Sequence, residues 1–245
     1  MTNSCDINLT PIFAFRTRMS DNESRHKNSV HPKQDSYVKN PLPHLFLDGV
    51  ASLGKTSLLT SLVEQQFNCK FCDFAENIAR YPEFKFKHSS PILANLYTIY
   101  HFKMLENEPP SIVDRSCLSD IWYTGVFGLL NNTVSVLELS NIFDSQIFRM
   151  LSKDFKTLFF TVNIEDKQAI SDITNAMIKR KNNLDIMSDV YVRTQITVFN
   201  ILKAKNIPNF HFWEKPMHIR MYSPEYVSMM EAAVKLVLDT VQPSL

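Results

Sequence analysis

The short run His44-Leu45-Phe46-Leu47-Asp48 leads directly into Gly49-Val50-Ala51-Ser52-Leu53-Gly54-Lys55-Thr56, a complete G-x-x-x-x-G-K-[ST] pattern. Glycines at both ends let the backbone wrap so that successive N–H groups face a β-phosphate, Lys55 adds a flexible cation, and Thr56 offers a hydroxyl to Mg²⁺. The next residues have a helical pattern: Leu58, Leu59, Leu62 and Val63 share one face of a helix over 55–66, which places its positive N-terminal end beneath the phosphates. Of only 4 glycines in the chain, Gly49 and Gly54 are spent here. The segment therefore predicts strand, phosphate loop and helix in that order. Its cradle runs from Gly49 through Val50, Ala51, Ser52, Leu53, Gly54, Lys55 and Thr56 to Ser57, with a nucleoside triphosphate as the natural ligand.

Strand and helix patterns alternate from there on. Strands are predicted at 44–48, 69–74, 111–114, 157–162 and 210–213, and helices at 55–66, 90–106, 117–130, 140–154, 166–181, 187–205 and 226–241. Strands apolar on both faces and separated by helices imply a parallel sheet covered on both sides, so the fold class is α/β, three layers with five parallel strands flanked by helices. At 245 residues, 44% of them hydrophobic, the chain suits one such domain over 43–245. Residues 1–42, rich in Ser, Asn, Lys, His and Pro, read as a disordered arm. The Phe15-Arg16-Thr17-Arg18 patch suits an organellar transit peptide, but Asp6, Asp21 and Glu23 argue against one.

Charge is nearly balanced, 26 Lys and Arg against 25 Asp and Glu, so no nucleic-acid partner is implied. No apolar run approaches the roughly 18 residues of a membrane span, and the N-terminus lacks a secretory core. The 4 cysteines, Cys5, Cys69, Cys72 and Cys117, read as free thiols, since the C-x-x-C pair lies in a strand-like run. A soluble protein of a reducing, cytoplasmic compartment is expected.

A second constellation, Ser111-Ile112-Val113-Asp114-Arg115-Ser116, puts an acid and an arginine at the carboxyl end of a strand, the edge where such sheets bind ligands. Asp114 there can hold Mg²⁺, and Arg115 can fork onto phosphate oxygens. The run Asp114-Arg115-Ser116-Cys117-Leu118-Ser119-Asp120 resembles the E-R-S-x-x-S-D and D-R-Y segments of the deoxynucleoside kinase and thymidylate kinase superfamily. Leu47-Asp48-Gly49 before Gly54-Lys55-Thr56 is similar to the viral thymidine kinase form of the loop. The resemblance covers about residues 44 to 215 and implies transfer of the ATP γ-phosphoryl to a nucleoside 5′-hydroxyl or a nucleoside monophosphate.

That resemblance implies further site residues. Glu76-Asn77-Ile78-Ala79-Arg80-Tyr81 resembles the family's E-P-V-x-x-W, which makes Glu76 the base for the attacking hydroxyl and Tyr81 a wall of the sugar and base pocket; Asp73 fits the acidic position under a shifted alignment. Lys179-Arg180-Lys181-Asn182-Asn183-Leu184-Asp185 falls where the family carries an arginine-containing lid, so Arg180 is the lid candidate and Arg193 a weaker one. Arg115 follows Lys55 by only 60 residues, fewer than is usual in the family. The glutamine that grips the nucleobase in relatives is not evident, and Asn95 is the nearest substitute. Tyr97, Tyr100 and Phe102 suit a base stack, core packing or a dimer contact.

A thymidine kinase-like deoxynucleoside kinase using ATP and Mg²⁺ is the leading expectation. Thymidylate kinase is the near alternative, because Tyr123-Thr124-Gly125 downstream of Asp114-Arg115 also resembles the D-R-Y…Y-Q-G form. A nucleotide-binding scaffold that has lost turnover is the reading from another class. The resemblance further implies a homodimer through the helices at 90–106 and 117–130.

Overall fold

In the computed structural model, residues 44–71, 99–180 and 186–240 are described. The elements are β1 (Leu45–Gly49), α1 (Lys55–Glu64), β2 (Cys69–Lys70), β3 (Ile112–Asp114), α2 (Ser119–Leu130), α3 (Val136–Asp144), α4 (Gln146–Ser152), β4 (Lys156–Val162), α5 (Lys167–Arg180), α6 (Asp189–Lys203), β5 (Phe210–Lys215) and α7 (Pro224–Asp239). Residues 99–105 are also helical. The strands form one parallel sheet in the order β2-β3-β1-β4-β5, with Leu47 opposite Asp114 and Gly49 opposite Phe160. The expected α/β class and five-stranded parallel sheet are what the chain adopts.

Alternation along β4 explains the two covered faces, because successive side chains point to opposite sides. Phe159 meets Trp122 of α2 at 5.2 Å and Phe199 of α6 at 5.6 Å between ring centroids. Phe160, one residue on, meets Trp213 at 5.6 Å, which in turn meets Tyr226 of α7 at 5.7 Å. Both phenylalanines are fully buried. Helices α2 and α6 thus cover one face, while α7, joined to α1 by Ser61 donating to Glu231 at 2.5 Å, covers the other.

Helix ends obey local chemistry. Ser135 and Glu138 form a capping box that starts α3, and Ser188 and Ser223 accept from the N–H groups of Tyr191 and Tyr226 to start α6 and α7. The single helix expected over 140–154 is instead two. Ser145 adopts an extended conformation and accepts from Phe148 N–H, so it ends α3 and caps α4. The helix expected from 226 starts earlier, since Pro224 fits the first turn after the Ser223 cap. Phe102 is half-buried and packs on Phe155 at 6.2 Å, against the core. Cys69 is a free thiol and Cys117 is buried, whereas Cys5 and Cys72 lie outside the described residues.

Candidate functional site

The carboxyl edge of the sheet gathers the loop, the Asp114-Arg115 pair and the end of α5. Gly49, at φ 111°, closes β1 so tightly against β4 that a Cβ there would lie 2.0 Å from the Phe160 carbonyl oxygen. The same oxygen accepts from Val50 N–H at 3.0 Å, which fixes the base of the loop to the sheet. The next amide, Ala51 N–H, donates to Oε1 of the fully buried Gln195 at 2.8 Å. Beyond it the chain passes through left-handed backbone at Ser52 (φ 58°) and Gly54 (φ 84°) before α1 begins.

The loop carbonyls face protein donors. Gly49 accepts from Tyr123 Oη at 2.9 Å and from Lys55 Nζ at 3.3 Å, and Val50 from Lys55 Nζ at 2.7 Å. Ser52 accepts from Tyr222 Oη at 2.7 Å, and Leu53 from Tyr226 Oη at 2.8 Å. By contrast, the N–H groups of Ser52, Leu53, Gly54, Thr56 and Ser57 donate to no acceptor among the described residues. They make a run of donors at the positive end of α1, where helix starts bind anions. Lys55 is buried across this row, and Thr56 and Ser57 are exposed at its rim.

Parallel pairing of β1 with β3 carries Asp114 and Arg115 to the same edge. Arg115 has φ 70°, a conformation that costs a residue with a Cβ on the order of 1 kcal/mol and persists here because its neighbours hold it. Its N–H donates to Leu47 O at 2.9 Å, and its guanidinium lies 4.8 Å over the Tyr123 ring and 3.9 Å from Asp48. Asp48 is fully buried and accepts from Gly49 N–H at 2.9 Å, Ser116 N–H at 3.3 Å and the Ser119 hydroxyl. One carboxylate thereby ties the loop to the Asp114-Arg115 turn.

Burial pushes the Asp114 carboxyl upward, while Arg115, Lys55 and Arg180 pull it down and Asp48 adds to the rise. The Arg115 guanidinium is also raised overall: burial opposes its charge, but Tyr123, Asp48 and Asp114 outweigh that and hold it protonated. Arg180, exposed at the end of α5, is close enough for its charge to act on Asp114. The structure therefore brings together the loop from Gly49 to Ser57 with Asp114, Arg115 and Arg180. Glu76, Tyr81 and Asn95 lie outside the described residues, as do Asp73, Tyr97 and residues 181–185 of the lid candidate. Arg193 donates from Nη1 to Ile164 O at 2.8 Å.

Sequence reasoning gave no role to Asp48, Gln195, Tyr222 or Tyr226, and used Tyr123 only as part of a resemblance. An acid inside an otherwise apolar strand was the available signal for Asp48; the others act from far along the chain. As for the metal expected at Thr56 and Asp114, a hydroxyl at the loop rim and a buried carboxylate are hard oxygen donors suited to Mg²⁺. Among the described residues, no group of three or more His, Cys, Asp or Glu side chains is placed to hold a metal on its own. No described helix is long and apolar enough to cross a membrane.

No protein-family model matches the sequence, and no curated protein does. Solved structures do. Deoxyadenosine kinase from M. mycoides with bound dATP is similar at 17% identity and a TM-score of 0.53, over 80% of this chain and 99% of that one. Its structure with the products dCMP and dCDP is similar at 14% identity and a TM-score of 0.54, over 81% of this chain and 100% of that one. Its structure with bound dCTP gives 16% identity and a TM-score of 0.53, over 81% and 100%. At such identities the likeness is one of fold alone: this chain shares the five-stranded parallel α/β fold of that kinase.

Proposed function

We propose that the protein is a deoxynucleoside kinase that transfers the γ-phosphoryl group of ATP to the 5′-hydroxyl of a deoxynucleoside. The observation that carries this reading is the meeting, at one sheet edge, of the unpaired amide row of the loop with Lys55, Asp114 and Arg115. That set suits phosphoryl transfer, in which positioning and charge neutralisation supply most of the rate. The likeness in fold to an enzyme that binds dATP and dCTP supports a deoxynucleotide as ligand.

In this reading the amides from Ser52 to Ser57 and Lys55 hold the donor phosphates. Thr56 and Asp114 would hold Mg²⁺, which supplies positive charge to the phosphate oxygens when bound. Arg115, fixed by Asp48 and Tyr123, faces the transferring group, and Arg180 adds charge from the lid side. Glu76 takes the proton of the attacking hydroxyl, with Tyr81 and Asn95 around sugar and base. A homodimer through 90–106 and α2 belongs to the same proposal and is tested by the mass in solution at micromolar concentration.

Thymidylate kinase is the second reading, favoured by the Arg115 guanidinium on the Tyr123 ring, a fixed cation suited to an acceptor that is already ionised. Mg-ATP offered with a panel of deoxynucleosides and thymidylate, with Lys55→Ala as the blank, decides between them. Product from a nucleoside is the expected result. Product from thymidylate alone moves the assignment to the monophosphate branch, and ATP binding without any product refutes both in favour of a scaffold. Within the nucleoside branch, Glu76→Gln should abolish most turnover, and a near-normal rate removes Glu76 from the mechanism.

A further inference from the structure

Two tyrosines from the far end of the chain reach the outer side of the phosphate loop. We infer that Tyr222 and Tyr226 are positioning residues that aim the Leu53 and Gly54 amides at bound phosphate by holding the Ser52 and Leu53 carbonyls from behind. The inference rests on the phosphate-binding reading of the loop.

The geometry arises from the planar trans peptide, in which the carbonyl of one residue and the N–H of the next point in opposite directions. Tyr222 Oη on Ser52 O at 2.7 Å therefore sets the direction of Leu53 N–H, and Tyr226 Oη on Leu53 O at 2.8 Å sets that of Gly54 N–H. Both of those amides lack an acceptor among the described residues. Left-handed backbone at Ser52 and Gly54 brackets the two peptides. Ser52 carries a Cβ and would relax from φ 58° if nothing restrained its carbonyl.

The anchors are themselves fixed. Tyr226 is 1% exposed and stands in the first turn of α7, where the Ser223 hydroxyl accepts its N–H at 3.2 Å and Pro224 occupies the first helical position. Its ring meets Trp213 of β5 at 5.7 Å and Tyr222 at 6.1 Å. Burial raises the Tyr222 phenol to about 12 and that of Tyr226 further, so both remain donors through the physiological range. Pre-aligned amides need not be reorganised when phosphate arrives, and that spared cost is read as affinity.

The two positions differ in a way that makes the inference testable. Tyr222 is 43% exposed, so in Tyr222→Phe water can satisfy the Ser52 carbonyl and the fold should keep its melting temperature within about 2 °C. Tyr226→Phe leaves the Leu53 carbonyl buried without a partner and should melt lower. Binding of Mg-ATP is measured by calorimetry for wild type, Lys55→Ala, Tyr222→Phe, Tyr222→Ala and Tyr226→Phe, beside thermal unfolding without nucleotide. Affinity about fivefold weaker in each Tyr→Phe variant, with Tyr222→Ala no weaker than Tyr222→Phe by more than about twofold, is the expected result for one hydrogen bond per hydroxyl. With the acceptor, KM for ATP should rise in the same proportion while KM for the acceptor stays put. If wild type binds and Lys55→Ala does not, yet both Tyr→Phe variants bind like wild type, the tyrosines are structural and the inference fails alone. Weakening in Tyr222→Ala but not in Tyr222→Phe assigns the effect to the ring and also overturns it. Wild-type binding no tighter than that of Lys55→Ala removes the phosphate reading and the inference with it.

Discussion

Replacing Asp48 by Asn keeps the shape of the side chain and removes its charge. One oxygen survives to accept from Gly49 N–H, now at 2.9 Å, while the amide NH₂ takes the place of the oxygen that accepts from Ser116 N–H at 3.3 Å and from the Ser119 hydroxyl. Ser119 can turn its hydroxyl to accept instead, but the Ser116 N–H then faces a donor in a buried site, a loss of about 1–3 kcal/mol. Arg115, 3.9 Å away and 27% exposed, loses its nearest carboxylate among the described residues, which adds about 1 kcal/mol once solvent screening is allowed. The total is about 2–4 kcal/mol, which for a domain of this size lowers the melting temperature by roughly 5–15 °C. Turnover should fall by about 100-fold with the acceptor the panel identifies, because Arg115 loses the Asp48 contact that helps fix it over the Tyr123 ring, whereas Mg-ATP affinity should change little, since the loop keeps its contacts to Lys55, Gln195, Tyr222 and Tyr226. Differential scanning calorimetry and steady-state kinetics measure both. A variant that melts within about 1 °C of wild type with unchanged kcat refutes the role given to Asp48.

Gly49→Ala should prevent folding, because its Cβ would lie 2.0 Å from the Phe160 carbonyl, whereas Gly54→Ala meets nothing nearer than Tyr222 at 3.9 Å and should cost only the left-handed penalty of about 1–2 kcal/mol; circular dichroism melts separate the two. Burial and the neighbouring His44 lower His101 to about 4, so the unfolded chain binds a proton near pH 6.5 that the folded one refuses; stability should fall by up to about 3 kcal/mol as pH drops through that window, and His101→Gln should flatten the slope in urea titrations. Lys215 and Asp166 form a buried pair at 2.9 Å, so Asp166→Asn should cost about 3–5 kcal/mol by leaving the lysine unmatched, and equal denaturation midpoints for variant and wild type would count against that.

What the sequence made legible and what it hid divide along distance in the chain. Strands β1, β3 and β4 are short, mainly apolar runs, and the loop between β1 and α1 is a contiguous pattern, so each could be read from its own residues. The break at Ser145 was within reach of the same reasoning, because a serine two residues before a short apolar repeat is a cap signal that competes with helix continuation. Strand order was different: nothing local says that β1 lies between β3 and β4. The partners of the loop were hidden for the same reason, since Gln195 contacts Ala51 across 144 residues and Tyr222 contacts Ser52 across 170.

Those distant contacts bear on why the loop can be rigid in a chain with so few glycines. Ser52 and Arg115 both hold left-handed backbone without the freedom of glycine, and each is restrained by a neighbour from another element: Ser52 by Tyr222 of the segment before α7, Arg115 by Leu47 of β1 and Tyr123 of α2. Tyr123 also donates to Gly49, so a single phenol touches both the loop base and the arginine that faces it. A loop held this way from both covered faces of the sheet cannot shift its amides without disturbing α2 or α7. The distance between the amide row and the Arg115 guanidinium is therefore set by core packing rather than by the loop itself. Core substitutions at Trp122 or Trp213, both remote from the amides in sequence, should accordingly alter phosphate affinity as well as stability.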